Sequence, residues 1–403
     1  FFDSVVVRKN QNNENLNVER LGNYLFEYEA DKLNLVVNQL AGQERYIVVK
    51  GADQAIKFYN GTINVRFSEL TNFANFAVQN SDLLICLGSR LDTRITGGVP
   101  STFARGAKIV AIDIDKHELS KKRGLNLSLK IKSDLKIFLE LFLKKIKNFK
   151  KEKKIWHKKC LEWKQKYPIV KKEYYRQKKY VNPYVFMNEL SKITDNKSVI
   201  IADDGGHLTW TLQAFKVKKG QKLFSAFGNS PMGYAFPASI GASIAKNKSK
   251  IICIDGDGSI QINIQELQTV ANKKLPIKII VLNNNGYGII KQFQELYLKK
   301  RYEASIPKFG VTNPNFEKVS KAYKINFNKI KDNKSINRIL KKTIKSNKTE
   351  FIEVMLKPDQ KIIPKLQFGN PIEDLSPLLS RTEFNKNMIV KSVSRSKKIF
   401  EAN

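Results

Sequence analysis

Two apolar runs that each end in a polar, glycine-containing turn constrain the fold of this chain more than any other feature. The first is KIICIDGDGS, residues 250 to 259, and the second is IKIIVLNNNGYG, residues 277 to 288. Runs of this length bounded by turn residues indicate buried parallel strands. Between them, apolar residues recur at helical spacing, which predicts one amphipathic helix; they are Ile260, Ile264, Leu267 and Ala271.

The same alternation recurs elsewhere in the chain. SDLLICLGSRLD predicts a strand from Leu83 to Leu87, AKIVAIDID a strand from Lys108 to Asp113, and SDLKIFLELFLKKI a capped helix. SVIIADDG and TEFIEVML predict two further buried strands. Alternating strands and helices indicate an α/β protein with two doubly wound parallel sheets, whose ligands bind at the carboxyl ends of the strands.

Changes in composition and the positions of Pro residues and helix caps divide the chain into five parts. The N-terminal segment is the least readable part: the polar stretch RKNQNNENLNVE, expected to be a loop, precedes a predicted helix within residues 25–42. It is followed by a dinucleotide-binding-like domain, a Lys-rich helical linker, a second α/β domain that begins at the capped helix NPYVFMNELSKI, and a Pro-punctuated tail that is expected to pack irregularly over the sheet. The corresponding bounds are residues 1–60, 61–145, 146–182, 183–360 and 361–403.

The charge balance raises the question of a polyanionic partner. Lys and Arg number 72 against 37 acidic residues, a net charge of +35. Much of the excess is spread over surface positions, and one dense block covers residues 144 to 180. A solvated helical face or linker is the favoured interpretation of that block, while nucleic acid or an acidic membrane surface remains the alternative.

The cysteines and the first residue indicate the cellular compartment of the protein and the extent of the sequence. Cys86, Cys160 and Cys253 lack metal-ligand spacing and predict reduced core residues of a cytoplasmic protein. The sequence contains no apolar run of membrane-spanning length and no recognisable signal peptide. Because the first residue is Phe1 rather than Met, we expect the sequence to begin inside a longer reading frame.

The turns after the two central strands predict a metal site. Gly256 and Gly258 allow a tight turn whose backbone amides approach an anion, but Asp257 between them would repel a phosphate. A hard cation between carboxylate and phosphate removes that conflict. Magnesium prefers oxygen ligands, which Asp257, Asn284 and the Gly286 carbonyl can supply.

These motifs resemble the signature of thiamine-diphosphate enzymes, Gly-Asp-Gly followed some two dozen residues later by Asn-Asn. Here residues 259 to 282 separate the two parts. The wider stretch, with LPIKIIVLNNNGYGIIKQFQEL, resembles the acetolactate synthase family and its relatives in surface-polysaccharide pathways. The resemblance implies that Asp257, Asn284 and Gly286 bind Mg²⁺ beside the diphosphate, with Gly256, Gly258 and Ser259 at the cofactor.

The resemblance assigns two further segments of the second domain to the cofactor. DDGGHLTW resembles the loop that covers the diphosphate, which makes Gly205, Gly206 and His207 candidate contacts. NSPMGYAFPASIGA resembles the segment whose bulky apolar residue supports the bent cofactor, and Met232 fits that role.

In the first domain, the resemblance points to a flavin. GSRLDTRITGG and AIDID resemble the turns that contact FAD in the family's central domain, which implies contacts through Gly88, Arg90, Arg94 and Asp113, with Asp134 a weaker match. The glycine-rich loop expected near the start of that domain is not recognisable, so FAD is only a candidate cofactor.

The resemblance also implies the reaction. Its members decarboxylate pyruvate and transfer the two-carbon unit to a second carbonyl, and Phe293 in KQFQ stands where the synthases carry an acceptor-lining Trp. A 2-keto acid or a ketosugar is the expected acceptor, and a homo-oligomer, dimer or tetramer, the expected assembly. No segment matches the pyrimidine-binding domain that donates the activating Glu, so the catalytic acid is unassigned. A truncated or non-catalytic cofactor-binding chain that needs a separate pyrimidine domain is the alternative.

Overall fold

The computed structural model describes residues 46–50, 64–65, 71–146, 154–226 and 228–393. Within them the chain forms two parallel sheets flanked by helices, so the predicted α/β class with two doubly wound domains is confirmed. The helix predicted within residues 25–42 and the polar segment before it lie outside the described residues.

The first sheet has five strands in the order β2-β1-β3-β4-β5. Its strands are β1 (Tyr46–Lys50), β2 (Asn64–Val65), β3 (Leu83–Leu87), β4 (Lys108–Asp113) and β5 (Leu127–Lys132). The bounds of β3 and β4 agree with the predicted ones. β5 was not predicted, because Lys and Ser alternate with its apolar residues and only Ile131 among its six positions is buried.

The second sheet has six strands in the order β10-β11-β9-β8-β6-β7, and every pairing is parallel. They are β6 (Val199–Ala202), β7 (Lys222–Phe224), β8 (Ile251–Gly256), β9 (Ile277–Asn283), β10 (Asn326–Ile330) and β11 (Glu350–Met355). All positions of β8 and β9 are buried, which explains their continuous apolar sequences. Apolar clusters cover both faces of the sheet.

Helices connect the strands throughout the described residues. The α-helices are Asn72–Gln79, Thr93–Thr96, Lys116–Ser120, Leu135–Ile146, Lys154–Lys166, Pro183–Ile193, Gly206–Ala214, Ala235–Ala245, Leu267–Lys273, Gly288–Tyr297, Phe316–Ala322, Ile336–Lys345 and Arg381–Asn387. The capped helix predicted at NPYVFMNELSKI is confirmed: the Asn182 side chain accepts hydrogen bonds from the backbone N–H groups of Tyr184 and Val185. None of the described helices combines the length and the apolar character that a membrane crossing requires.

The prediction of a single helix between β8 and β9 is wrong, because two helical segments connect these strands. A 3₁₀ segment, Ile260–Glu266, precedes the α-helix Leu267–Lys273, and Asn263 has φ −126° and ψ 27°. The Asn263 side chain donates a hydrogen bond to the carbonyl of Gly233. This contact with a neighbouring loop replaces regular helical geometry, and the apolar periodicity alone could not reveal it.

The Lys-rich block contains the predicted helix, and one face of that helix is buried. In Lys154–Lys166, Trp163 is 1% exposed and its ring lies 5.8 Å from the Phe76 ring. Its indole N–H donates to Asn387 Oδ1 at 2.9 Å. The tryptophan face therefore completes the apolar core of the first sheet while the lysines remain at the surface.

The three cysteines are buried and free, as predicted: Cys86, Cys160 and Cys253 are each at most 3% exposed. Burial raises the pKa of the Cys160 thiol to about 12, so the thiolate is disfavoured at neutral pH. These residues are packing groups and not reactive thiols.

The C-terminal tail packs on both sheets, and not only over the second one as predicted. Ile362 belongs to the apolar core of the second sheet. Further along, Ile372 and Phe384 belong to the core of the first. Arg381 binds both carboxylate oxygens of Asp374 at 2.9 Å, which holds the helix Arg381–Asn387 to the preceding loop.

Candidate cofactor and metal site

Three adjacent strands of the second sheet end in polar loops. β8 pairs with β6 on one side and with β9 on the other. Because the strands are parallel, their carboxyl ends lie at one edge of the sheet, with Asp203 after β6, Asp257 after β8 and Asn284 after β9. This edge is the ligand-binding position of an open α/β sheet.

The two halves of the glycine-acid and asparagine motif are in direct contact. Asp257 is 2% exposed, and its Oδ2 accepts a hydrogen bond from the backbone N–H of Gly286 at 2.9 Å. Burial raises the pKa of Asp257 to about 6, and hydrogen bonds from Gly286 and Asn313 oppose that rise. No cationic side chain of the described residues is among the causes of this shift.

Close packing of the turns requires two of the glycines. A Cβ on Gly258 would lie 2.2 Å from Cε1 of Tyr287. Gly286 has φ +154°, and a Cβ there would lie 2.5 Å from the carbonyl oxygen of Ser305. Because these two glycines lack a Cβ, the turn after β8 and the turn after β9 can pack closely against their neighbours. A carboxylate, an amide oxygen and a backbone carbonyl fit the preference of Mg²⁺ for oxygen.

The three asparagines have different surroundings. Asn283 donates to Glu353 Oε1 at 2.7 Å, and Glu353 is paired with Lys329 at 2.8 Å. Asn285 has φ +58° and its backbone N–H donates to Asn283 Oδ1 at 2.9 Å. Asn283 and Asn285 therefore shape the turn, which leaves Asn284, 8% exposed, as the candidate ligand.

A second group of buried side chains lies beside this site. Asp203, His207 and Asp255, which we call the acidic cluster, each offer one ligand atom, and these atoms lie within 4.8 Å of one another. Asp203 accepts hydrogen bonds from the backbone N–H groups of Gly233 at 2.9 Å and Ala235 at 2.6 Å. The cluster could hold a cation, and its observed contacts also join the loop after β6 to the loop before helix Ala235–Ala245.

Two residues predicted to contact the cofactor, Met232 and Ser259, lie next to the acidic cluster or its partners. Met232, next to Gly233 in the anchored loop, is 38% exposed. Ser259 is buried, and its hydroxyl donates to Asp255 Oδ1 and accepts from the N–H of Gly256 at 3.2 Å. Burial, followed by repulsion from Asp203, raises the pKa of Asp255 well above its usual range. The Ser259 hydroxyl thus supports the acidic cluster in this structure.

His207 lies between two glycine turns. A Cβ on Gly205 would meet its Cε1 at 2.4 Å, and one on Gly256 would meet its Nδ1 at 2.8 Å. Gly205 precedes the helix Gly206–Ala214, and a Cβ on Gly206 would meet the Trp210 ring at 2.9 Å. The imidazole Nε2 is buried and has no hydrogen-bond partner within the described residues. This orphaned nitrogen lies beside the glycine turns at Gly205 and Gly256, where a bound ligand could supply the missing partner.

Burial lowers the pKa of His207 to about 3, which makes folding pH-dependent. The unfolded chain binds a proton below about pH 6.5 that the folded chain excludes, so stability is lost as the pH falls. Between pH 8 and pH 5 we expect His207 to account for a loss of about 2 kcal/mol in the free energy of unfolding. Urea unfolding of the native chain and of His207→Gln tests this; parallel pH curves for the two proteins would contradict it.

In the first domain, the predicted flavin residues lie at the carboxyl ends of β3, β4 and β5, but two of them contact acidic groups of the chain. Gly88 has φ +55° and donates to the Ile112 carbonyl at 2.8 Å. Arg90 Nε lies 3.4 Å from Glu118 Oε1. Arg94 lies 3.9 Å from Asp204 of the second domain.

Two acids of the first domain have local backbone partners. Asp113 lines a cleft with Arg90 and Glu118, and it accepts from the N–H of Asp115 at 2.9 Å. Asp134 accepts from the N–H of Lys136 at 2.7 Å and so caps the helix Leu135–Ile146. This contact confirms the capped helix predicted at SDLKIFLELFLKKI, while the weaker match of Asp134 to a flavin contact stays a prediction.

Phe293 belongs to an exposed aromatic group on the helix Gly288–Tyr297. Its ring lies 4.9 Å from Tyr297 and 6.1 Å from Phe368 of the tail. Phe293 is 38% exposed and Phe368 is 71% exposed. The tail therefore contributes an aromatic surface beside the residue predicted to contact the acceptor.

Sequence reasoning missed several groups that shape the site. Asn313 donates to Asp257 Oδ2 at 2.6 Å, and Glu353 holds Asn283. Both lie far along the chain from the motif, and neither has a local pattern that would reveal the contact. Asp203 and Asp255 do have a visible signal, since Asp203 immediately follows the buried strand β6 and Asp255 is the last residue but one of β8.

Comparison with known families identifies the class of protein that this fold and site define. Residues 59–142 match the central domain of thiamine pyrophosphate enzymes, and residues 203–354 match their C-terminal TPP binding domain. The chain thus contains the central and the cofactor-binding domains of a thiamine pyrophosphate enzyme.

Acetolactate synthases are among the proteins that this chain is similar to. The chain is 34% identical to the acetolactate synthase large subunit of Cyanidium caldarium over 304 residues, 74% of this chain and 50% of the relative. It is 33% identical to the probable large subunit of Methanococcus aeolicus over 300 residues, 72% of this chain and 49% of the relative. It is 36% identical to the chloroplastic enzyme of Arabidopsis thaliana over 233 residues, 57% of this chain and 34% of the relative. The chain thus spans about half the length of the first two relatives.

Proposed function

We propose that this chain is a thiamine-diphosphate- and Mg²⁺-dependent carboligase of acetolactate-synthase type. It would decarboxylate pyruvate and transfer the two-carbon unit to a 2-keto acid or ketosugar acceptor. The contact between Asp257 and the Gly286 N–H carries this proposal, because it joins the two parts of the motif at the strand edge of the matching domain.

The proposed site assigns separate tasks to its residues. Asp257, Asn284 and the Gly286 carbonyl would hold Mg²⁺, while the glycine turns at Gly205 and Gly256 would admit the diphosphate. The bound cofactor supplies the carbanion chemistry, for which the protein provides binding and orientation. His207, neutral because of its lowered pKa, could offer a hydrogen bond but no positive charge.

Binding and turnover of the full chain test the proposal separately. We expect thiamine diphosphate to quench tryptophan fluorescence only when Mg²⁺ is present, and pyruvate to release carbon dioxide. Absence of cofactor binding would contradict the proposal. Binding without carbon dioxide release would favour the alternative, a cofactor-binding chain that needs a separate pyrimidine domain.

Phe293→Trp tests the proposed acceptor contact. A larger ring beside Tyr297 and Phe368 would narrow the space for the acceptor, so we expect the ratio of products from two competing acceptors to shift by roughly 10-fold. The affinity for thiamine diphosphate and Mg²⁺ should stay unchanged, since the ring lies on a different element from Asp257. An unchanged product ratio would remove Phe293 from the acceptor site.

FAD remains a proposed second ligand of the first domain. Its phosphates would have to compete with Glu118 for Arg90 and with Asp204 for Arg94. Purified protein that retains flavin absorbance would support binding. A homo-oligomer is likewise proposed by analogy with the family, and sedimentation analysis would test it.

A further inference from the structure

Asn313 contacts the proposed metal ligand from a loop that lies outside the motif. Its Nδ2 donates to Asp257 Oδ2 at 2.6 Å. The residue precedes the helix Phe316–Ala322 and is 56 positions away from Asp257 in sequence. Oδ2 therefore has two donors, since it also accepts from the Gly286 N–H at 2.9 Å.

Gln261 fixes the orientation of the Asn313 amide. Its Nε2 donates to Asn313 Oδ1 at 2.9 Å and to the backbone carbonyl of Asp257 at 2.8 Å. Because Oδ1 accepts from Gln261, the amino group of Asn313 is directed to Asp257 and not away from it. The three side chains form a closed network around the glycine turn.

We infer that Asn313 is a positioning residue that presents the Asp257 carboxylate to the cation; this inference rests on the proposed function. The donors from Gly286 and Asn313 both engage Oδ2 and so fix the orientation of the Asp257 carboxylate within the turn. The amide carries no charge and therefore orients the carboxylate without competing with the cation for it. Partners of this kind orient metal ligands and influence affinity without touching the metal.

The Mg²⁺ dependence of thiamine diphosphate binding by the full chain tests this inference. In Asn313→Ala we expect the Mg²⁺ concentration for half-maximal fluorescence quenching to rise about 10-fold or more, because outer partners of metal ligands have effects of that size. At saturating Mg²⁺ the cofactor should bind nearly as in the native chain. Gln261→Ala should shift the Mg²⁺ dependence in the same direction by a smaller factor.

Asn315→Ala is the matched control. Asn315 lies in the same loop and caps the helix Phe316–Ala322 by accepting from the Lys318 N–H at 3.0 Å, but the structure shows no contact of its side chain with Asp257 among the described residues. Its loss should lower stability and leave the Mg²⁺ dependence unchanged. Equal shifts in both variants, or none in Asn313→Ala, would overturn the inference. Failure of the native chain to bind the cofactor would instead contradict the proposed function.

Discussion

Asp257→Ala is expected to weaken Mg²⁺-dependent binding of thiamine diphosphate by more than about 100-fold, since it would remove a proposed direct ligand and not an outer partner. The carboxylate is buried in a turn without a described ion pair, so the cation is the charge that would offset its desolvation. Isothermal titration of the full chain at saturating Mg²⁺ measures the loss.

A control separates this loss from a general effect on the fold. Asp359→Ala removes an exposed carboxylate elsewhere in the chain and should leave cofactor affinity unchanged. The thermal transition of apo Asp257→Ala should stay close to that of the native chain, because the substitution also removes the cost of burying a charge. Cofactor affinity that survives in Asp257→Ala would exclude the proposed ion site.

Gly286→Ala is expected to lower the free energy of unfolding by about 3 kcal/mol, from left-handed backbone strain and overpacking together. The glycine has φ +154°, and its Cβ would lie 2.5 Å from the Ser305 carbonyl oxygen, which is backbone and cannot rotate away. Urea unfolding of the apo chain measures this change.

Gly241→Ala, in the same domain, is expected to change the free energy of unfolding in the opposite direction. Gly241 lies in the helix Ala235–Ala245, and a Cβ there would meet nothing within 4 Å. Replacing an unconstrained helical glycine should stabilise the chain by about 0.5–1 kcal/mol. A neutral Gly286→Ala, or two variants with the same sign, would show that the turn is not as tightly packed as the structure indicates.

The sheet could be predicted from the sequence where burial is complete and could not where it is partial. β8 and β9 are buried at every position, so their sequences are continuously apolar. β10 carries only one buried residue, Ile330, and β7 none, because they lie at the edges of the sheet. At such positions, hydrogen bonding to a neighbouring strand determines the structure more than side-chain pattern does.

The same distinction applies to the candidate site. Asp257 and Asn284 are the first residues after β8 and β9, so the order of strands and turns in the sequence predicts that they lie at the same edge of the sheet. Asn313 and Glu353 reach the site through long-range contacts with Asp257 and Asn283, and a single sequence contains no trace of such pairings. Their roles depend on side-chain hydrogen bonds that only the three-dimensional arrangement supplies.

The interior of the first sheet depends on residues from both ends of the described chain. Phe76 lies 5.8 Å from Trp163 and 6.3 Å from Phe384, three rings that span some three hundred positions of the sequence. During synthesis, the apolar face of the first sheet is therefore fully covered only after the helix Arg381–Asn387 has been made. A ribosome-bound chain that stops short of Arg381 would expose that face to chaperones and proteases, although its cofactor-binding sheet is already complete.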